Sequence, residues 1–328
     1  MIDIDIHADD YALSKHSDED ILFLCQKGYL NGISIIPNMP CFYDSVERYK
    51  SALYDDEQKK FFDADKNDSD RNHFKDKSIS ETAVPVSSKL ISVHLNFMEG
   101  ECLAGKEKVP HLVDENGYFN VSWLKLLLWS YIPFVCGKIK KELSSEIIFQ
   151  TQRILDCGLA DKEHLRFDSH QHPHMIPVVF DSLLSAIEEK KWKVDFIRNA
   201  QEILHSYMRV PALYKTYSLA NIVKCVILNL LSFRVRRKLK KIGLHQSYLC
   251  GVFFSGKMDK ERLDKVLPSI LKKCKNKNRG IEILFHPGLV LKSELDEAFS
   301  KPGFNEFHLS SGRKTEFSAV NEFKGSLL

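Results

Sequence analysis

Seven short apolar runs, each followed by a stretch long enough for a helix, restrict what this 328-residue chain can fold into. Ile2, Ile4 and Ile6 alternate with Asp3, Asp5 and His7, which is the period of a strand. Further runs lie at Gly32 to Ile36, Lys89 to Val93, Leu165 to Phe167, Lys193 to Ile197, Tyr248 to Phe254 and Gly280 to Phe285. Between them the pattern predicts helices. One opens on a capping-box-like Ser17 and Asp20 and stops at Gly28, and one starts near Tyr43 and fades by Tyr54. Others cover Trp123 to Trp129, Leu143 to Cys157, a run opened by Pro177, and residues 219–241. Asp259 caps a helix to about Cys274, and a last helix covers Arg313 to Glu322. Strands that alternate with helices pair in parallel, because a parallel pair needs a long crossover.

What the runs end in narrows the choice further. Asp9 and Asp10 close the first strand, His94 the third, Asp168 with His170 the fourth, Arg198 the fifth and His286 the seventh. In a closed parallel barrel all strand C-termini meet on one rim, whereas an open sheet collects ligands mainly at one switch point. The expectation is a single α/β domain, a distorted (β/α) barrel of about seven parallel strands. Residues 55–81, polar and charge-dense, read as an exposed insertion.

The stretch Asp168-Ser169-His170-Gln171-His172-Pro173-His174 concentrates the chemistry. On an extended backbone, alternate side chains share a face, so the acid and three imidazoles would stand together for as long as the strand lasts. A lone H-x-H is more often a solvated loop; a strand before it and a helix after it favour a site. One carboxylate with two neutral imidazoles suits a divalent cation that keeps positions open for water and substrate. A second carboxylate can then act as base and a further imidazole as acid, a set suited to amide hydrolysis. The same ligands also serve non-heme iron oxygenases, which do not need the extra acid and base.

Composition sets the surroundings. With 47 basic and 44 acidic residues the formal net charge is +3, so no overall field argues for a nucleic-acid partner. Eight scattered cysteines without metal-type spacing read as reduced, and the acidic N-terminus lacks the form of a signal peptide, which together predict a cytoplasmic protein. Residues 219–241 join an apolar run to a basic tail, Arg234 to Lys241, but are too polar to span a bilayer. Two readings stay open for this helix: packing on the barrel, or peripheral contact with a membrane surface.

Five ordered motifs carry a resemblance. His7-Ala8-Asp9-Asp10-Tyr11-Ala12-Leu13-Ser14 resembles the N-A-D-D-F-G-L-S opening of the YdjC-like carbohydrate deacetylases, a group that includes chitooligosaccharide and hopanoid-associated deacetylases. Ser34 to Pro40 resembles S-x-x-x-N-M-P, Val93 to Gly100 resembles V-H-L-N-L-T-E-G, Asp168 to His174 resembles D-S-H-Q-H-V-H, and His286-Pro287-Gly288 supplies H-P-G. The resemblance implies metal-dependent removal of an acetyl group from an N-acetylated sugar or oligosaccharide. It implies Asp10, His94 and His170 as ligands of a divalent ion, magnesium or zinc, with Asp9 as base and His286 as acid. Arg198, His172, His174 and Asn38 would contact substrate or support the ligands, and a homodimer is compatible with it. An amidase acting on a non-sugar amide, or a non-catalytic carbohydrate-binding relative, would share most of the pattern. His7 in place of Asn, Tyr11-Ala12 in place of Phe-Gly, and Phe97-Met98 in place of Leu-Thr depart from the family, and Asp5 on the first strand has no counterpart in its apolar pattern.

Overall fold

The computed structural model describes residues 2–53, 89–295 and 302–327. Seven strands, β1 (Ile4–Tyr11), β2 (Gly32–Ile35), β3 (Leu90–Leu95), β4 (Leu165–Ser169), β5 (Val194–Ile197), β6 (Tyr248–Cys250) and β7 (Ile281–Phe285), form one sheet in the order β5-β4-β3-β2-β1-β7-β6. Every neighbouring pair is parallel. The helices between them are α1 (Lys15–Gln26), α2 (residues 42–53), α3 (Trp123–Trp129), α4 (Pro133–Asp156), α5 (Pro177–Lys190), α6 (Leu204–Met208), α7 (Leu219–Lys241) and α8 (Lys260–Lys277), and α9 (Pro302–His308) and α10 (Gly312–Leu327) follow β7. The expected α/β barrel is therefore present as a curled, partly closed sheet flanked by helices. The proposed insertion at 55–81 lies outside the described residues.

The two edges of the sheet meet at a seam. Glu202, just beyond β5, bridges in parallel to Leu249 of β6, and the Leu249 amide donates to the Gln201 carbonyl at 2.9 Å. The Glu202 carboxylate then accepts from the amides of Gly251, Val252 and Phe253 at 2.6, 2.9 and 3.0 Å, and from the Cys225 thiol on α7. This explains why β6 stops at Cys250 rather than running to Phe254: the next three amides turn to a carboxylate instead of a neighbouring strand.

Other boundaries shift for local reasons. The α1 cap is Ser14, whose hydroxyl accepts from the Ser17 amide, so the helix starts before the Ser17 and Asp20 signal. Pro133 occupies the first turn of α4, ten residues ahead of the expected Leu143, where its missing N–H costs nothing. α9 was not foreseen; seven residues carry too little periodicity.

The inner face of β1 is polar. Asp5, His7 and Asp9 alternate along it, and all are buried. Asp5 bonds to Arg166 of β4 at 3.0 Å and lies 3.4 Å from His7, whose other nitrogen contacts the Ser34 hydroxyl at 2.8 Å. Asp5, unexplained by the sequence, thus belongs to an ionic chain crossing the barrel interior. Burial opposes its ionisation, but His7 and Arg166 outweigh this and lower its pKa. The apolar surface lies outside, between sheet and helices, with Ala8, Ile33, Val93, Phe167, Ile197, Ile283 and Phe285 fully buried.

Candidate active site and metal centre

β1 ends in a kink that separates its two carboxylates. Asp10 has φ 68 and Ala12 φ 74, both left-handed, and the register with β2 slips between Ala8 and Tyr11. Asp9 keeps the inward direction of the strand while Asp10 turns away. The strained turn is fixed by Asp18 on α1, whose carboxylate accepts the Ala12 amide at 2.7 Å and pairs with Arg48 at 2.8 Å.

Asp10 faces two imidazoles. Its Oδ1 lies 2.9 Å from Nδ1 of His170 and 3.6 Å from Nε2 of His94. The three ligand atoms lie within 4.8 Å of one another, and all three residues are buried. Donors about 2.1 Å from a tetrahedral ion stand about 3.4 Å apart, so small movements would close this set on a cation. Each imidazole is oriented from its far side: Nδ1 of His94 by Asp168 at 2.7 Å, Nε2 of His170 by Glu99 at 2.9 Å. A carboxylate behind an imidazole fixes its tautomer and leaves the other nitrogen free to ligate. Glu99 also bonds to His308 of α9 at 2.8 Å.

The charge balance points the same way. Burial alone would lower the pKa of His94, but Asp9, Asp168 and a hydrogen bond to Asp10 overcome it and raise it to about 10. For His170, Asp10 and Glu99 likewise overcome burial and raise it to about 9. Without a cation the pocket therefore holds two protons at neutral pH, drawn in by its carboxylates. A divalent cation carries the same two charges, so the donor set fits one. Three further buried groups of acids and imidazoles occur among the described residues. Two of them contain Asp9, Asp168 or Glu282, which Arg198 already neutralises, and the third centres on Glu99, which accepts from His170 and His308.

Arg198, fully buried, holds three carboxylates. Its guanidinium grips Asp9 with two bonds of 2.7 and 2.8 Å and reaches Asp168 at 2.9 Å and Glu282 at 2.6 Å. Burial would raise the pKa of Asp9, yet Arg198 and then His94 hold it down at about 2. Asp9 is thus ionised and fixed in direction, with its Oδ2 3.7 Å from His94 Nε2.

The alternation expected through His174 ends with β4 at Ser169, because Gln171 and His172 adopt left-handed φ of 65 and 64. His170 goes to Asp10, whereas His174 is held by the Ser169 hydroxyl and the Arg198 carbonyl, and burial pushes its pKa down to about 4. His172, lowered by burial and then by Lys224, is neutral, and its Nδ1 is buried without a hydrogen-bond partner among the described residues. Asn38 is buried, with its amide on the carbonyls of Glu99 and Glu101 at 3.1 and 3.0 Å, and it braces the turn after β3.

A cleft of about 360 Å³ reaches the cluster, lined by His170, His172, His286, Lys224, Asn221 and Ser255 among others. His286 follows β7 with its ring edge-on to Phe307 and Nδ1 3.5 Å from Glu316. The Glu316 carboxylate accepts the His286 amide at 2.6 Å and so sets the backbone there.

Sequence reasoning missed Arg313 and Lys224. Arg313 of α10 bonds to Asp10 Oδ2 at 2.9 Å and to the Gly288 carbonyl at 2.8 Å, blocking the carboxylate oxygen that faces away from the imidazoles. Two glycines allow this approach. A Cβ on Gly312 would lie 2.3 Å from the Gly256 carbonyl oxygen, and Gly288, at φ +101, has no room against Ser17. Gly312 before Arg313 was the available signal. Lys224 gave none beyond its place in an otherwise apolar run.

The sequence model of the YdjC-like protein family matches residues 3–322. Among solved structures, a protein described as a "putative cellobiose-phosphate cleavage protein" from Enterococcus faecalis V583 superposes with a TM-score of 0.54 at 16% identity, covering 98% of this chain and 94% of that one. At that identity the likeness is one of fold. A comparison with curated proteins finds no match. With its five strand-end motifs spread along nearly the whole matched length, the chain belongs to the YdjC-like family.

Proposed function

We propose that the protein is a metal-dependent hydrolase that removes the acetyl group from an N-acetylated sugar or oligosaccharide. The observation that carries this reading is the division of labour between adjacent carboxylates: Asp10 with two oriented imidazoles, Asp9 clamped by Arg198. Asp10, His94 and His170 would hold the cation. The cation supplies Lewis acidity toward the acetyl carbonyl and acidifies water. Asp9 takes the proton of the attacking water, with Arg198 keeping it ionised and aimed. The amide C–N bond then breaks, and His286, across the cleft, gives its proton to the departing amine. His172 and Lys224 line the space where the sugar would lie. The fold neighbour, described as a cellobiose-phosphate cleavage protein, agrees with a carbohydrate substrate.

The ligand assignment is tested by Asp10→Ala, His94→Ala and His170→Ala. Each should lose bound metal and activity while keeping a folded far-UV spectrum. Stoichiometric metal retained in all three would overturn it.

A further inference from the structure

A second, larger cavity of about 630 Å³ opens beside the catalytic cleft. Its walls are Trp123 of α3 and Leu219, Ala220, Val223, Ile227 and Leu228 of α7, an almost wholly apolar set. Gln171 and Lys224 line both spaces, so the groove is continuous with the cleft that holds His170 and His286. We propose that the substrate is an amphiphile: an N-acetylated sugar carrying a long apolar chain, with the sugar in the cleft and the chain in the α3–α7 groove, presented from a lipid surface. This rests on the deacetylase reading of the cleft and adds the class of aglycone.

The surface of α7 supports the source of the chain. Leu219, Val223, Val226, Leu230 and Phe233 are 76, 49, 42, 64 and 56% exposed. Their spacing of four, three, four and three residues puts them on one face of the helix. The helix contains no Asp or Glu, and the stripe runs into Arg234, Arg236, Arg237, Lys238, Lys240 and Lys241. Among the described residues only Arg234 and Lys238 are drawn to a carboxylate, Asp181 at the α5 surface. On the far side of the groove Leu124 and Leu128 of α3 are 62 and 58% exposed, and Phe134 at the start of α4 is 92% exposed. An apolar stripe with a cationic end is the pattern of a helix lying in a membrane interface. A second copy of α7 would offer the stripe no negative charge, whereas an anionic lipid surface does.

The test uses the full chain with methyl and decyl glycosides of one N-acetylated amino sugar, the decyl compound below its micelle concentration. The decyl glycoside should show kcat/KM higher by about ten-fold or more, which burial of two methylenes supplies. Val223→Asp should bring that ratio toward one. A readout independent of turnover is tryptophan emission: the decyl glycoside should shift it in the wild type and not in Trp123→Phe. Vesicles of phosphatidylcholine with one third phosphatidylglycerol should sediment the wild type, and Leu230→Asp/Phe233→Asp should abolish this without changing activity on the methyl glycoside. Equal kcat/KM for both glycosides with no emission shift would overturn the groove assignment, while acetate release from the methyl glycoside would leave the deacetylase reading standing. An emission shift and vesicle binding without acetate release from either compound would retain the amphiphile site and sink the deacetylase. A wild-type dimer that Leu230→Asp/Phe233→Asp splits, with no vesicle binding, would assign the stripe to a second copy and overturn the proposal.

Discussion

Asp9 and Asp10 differ only in position by one residue, yet the left-handed turn at Asp10 gives them separate partners: Arg198 for the first, two imidazoles and Arg313 for the second. In the proposed reaction Asp9→Asn keeps the size and removes the basic oxygen. Turnover should fall about 10²-fold or more with metal content unchanged, as measured by steady-state kinetics beside elemental analysis. Near-normal turnover with the metal lost would mean that the two roles are reversed. Two residues beyond Asp10, Ala12 carries φ 74, where the YdjC-like pattern has glycine. An L-residue there costs about 1–2 kcal/mol, offset in part by the entropy glycine adds to the unfolded chain. Ala12→Gly should therefore leave the fold intact and raise stability by up to about 1 kcal/mol in urea unfolding. A loss of that size would show that the methyl group contributes packing that outweighs the strain.

At the scale of elements, the strands and what ends them were legible because β residues alternate and the reactive side chains follow directly in sequence. Asp9, Asp10, His94, Arg198 and His286 all stand at strand ends, as the pattern placed them. What periodicity could not show was contact across the barrel. Asp5, His7 and Glu282 look anomalous in strands that should be apolar, and only the barrel interior brings Asp5 to Arg166, Glu282 to Arg198, and His7 between Asp5 and Ser34. Arg313 and Glu99 were hidden for the same reason: their partners lie 303 and 71 positions away, at Asp10 and His170. His174 shows the opposite failure, since a left-handed turn cannot be read from an alternating D-S-H-Q-H-P-H string. The seam at Glu202 yields its own prediction. Glu202→Ala would leave the buried amides of Gly251, Val252 and Phe253 unpaired, so it should destabilise the protein by at least about 2 kcal/mol by chemical denaturation. A change under about 0.5 kcal/mol would mean that the seam is not held by this carboxylate.

For the whole molecule, the buried charges couple folding, protons and metal. His94 and His170 have folded pKa values of about 10 and about 9, raised above the ordinary value of 6.5. Their protonation therefore stabilises the metal-free fold fully below about pH 6.5, and this contribution is lost as pH rises through 9 to 10. With chelator present, Tm should fall across that window, and a saturating divalent cation should blunt the fall because it replaces the protons. Calorimetric titration at pH 7 in buffers of different ionisation enthalpy should register release of about two protons per ion bound. Proton-neutral binding would place the metal elsewhere. Among the described residues no helix is long and apolar enough to cross a membrane.

The most direct measurement is acetate release from a panel of N-acetylated sugars by the wild-type protein, with chelator, after chelation and return of single divalent ions, and with Asp10→Ala in parallel. Acetate should form in equal amount to free amine, stop with chelator, return with one or more ions, and stay absent in Asp10→Ala. Acetate release that persists undiminished in the chelated protein, or in Asp10→Ala, would contradict the metal-dependent deacetylase.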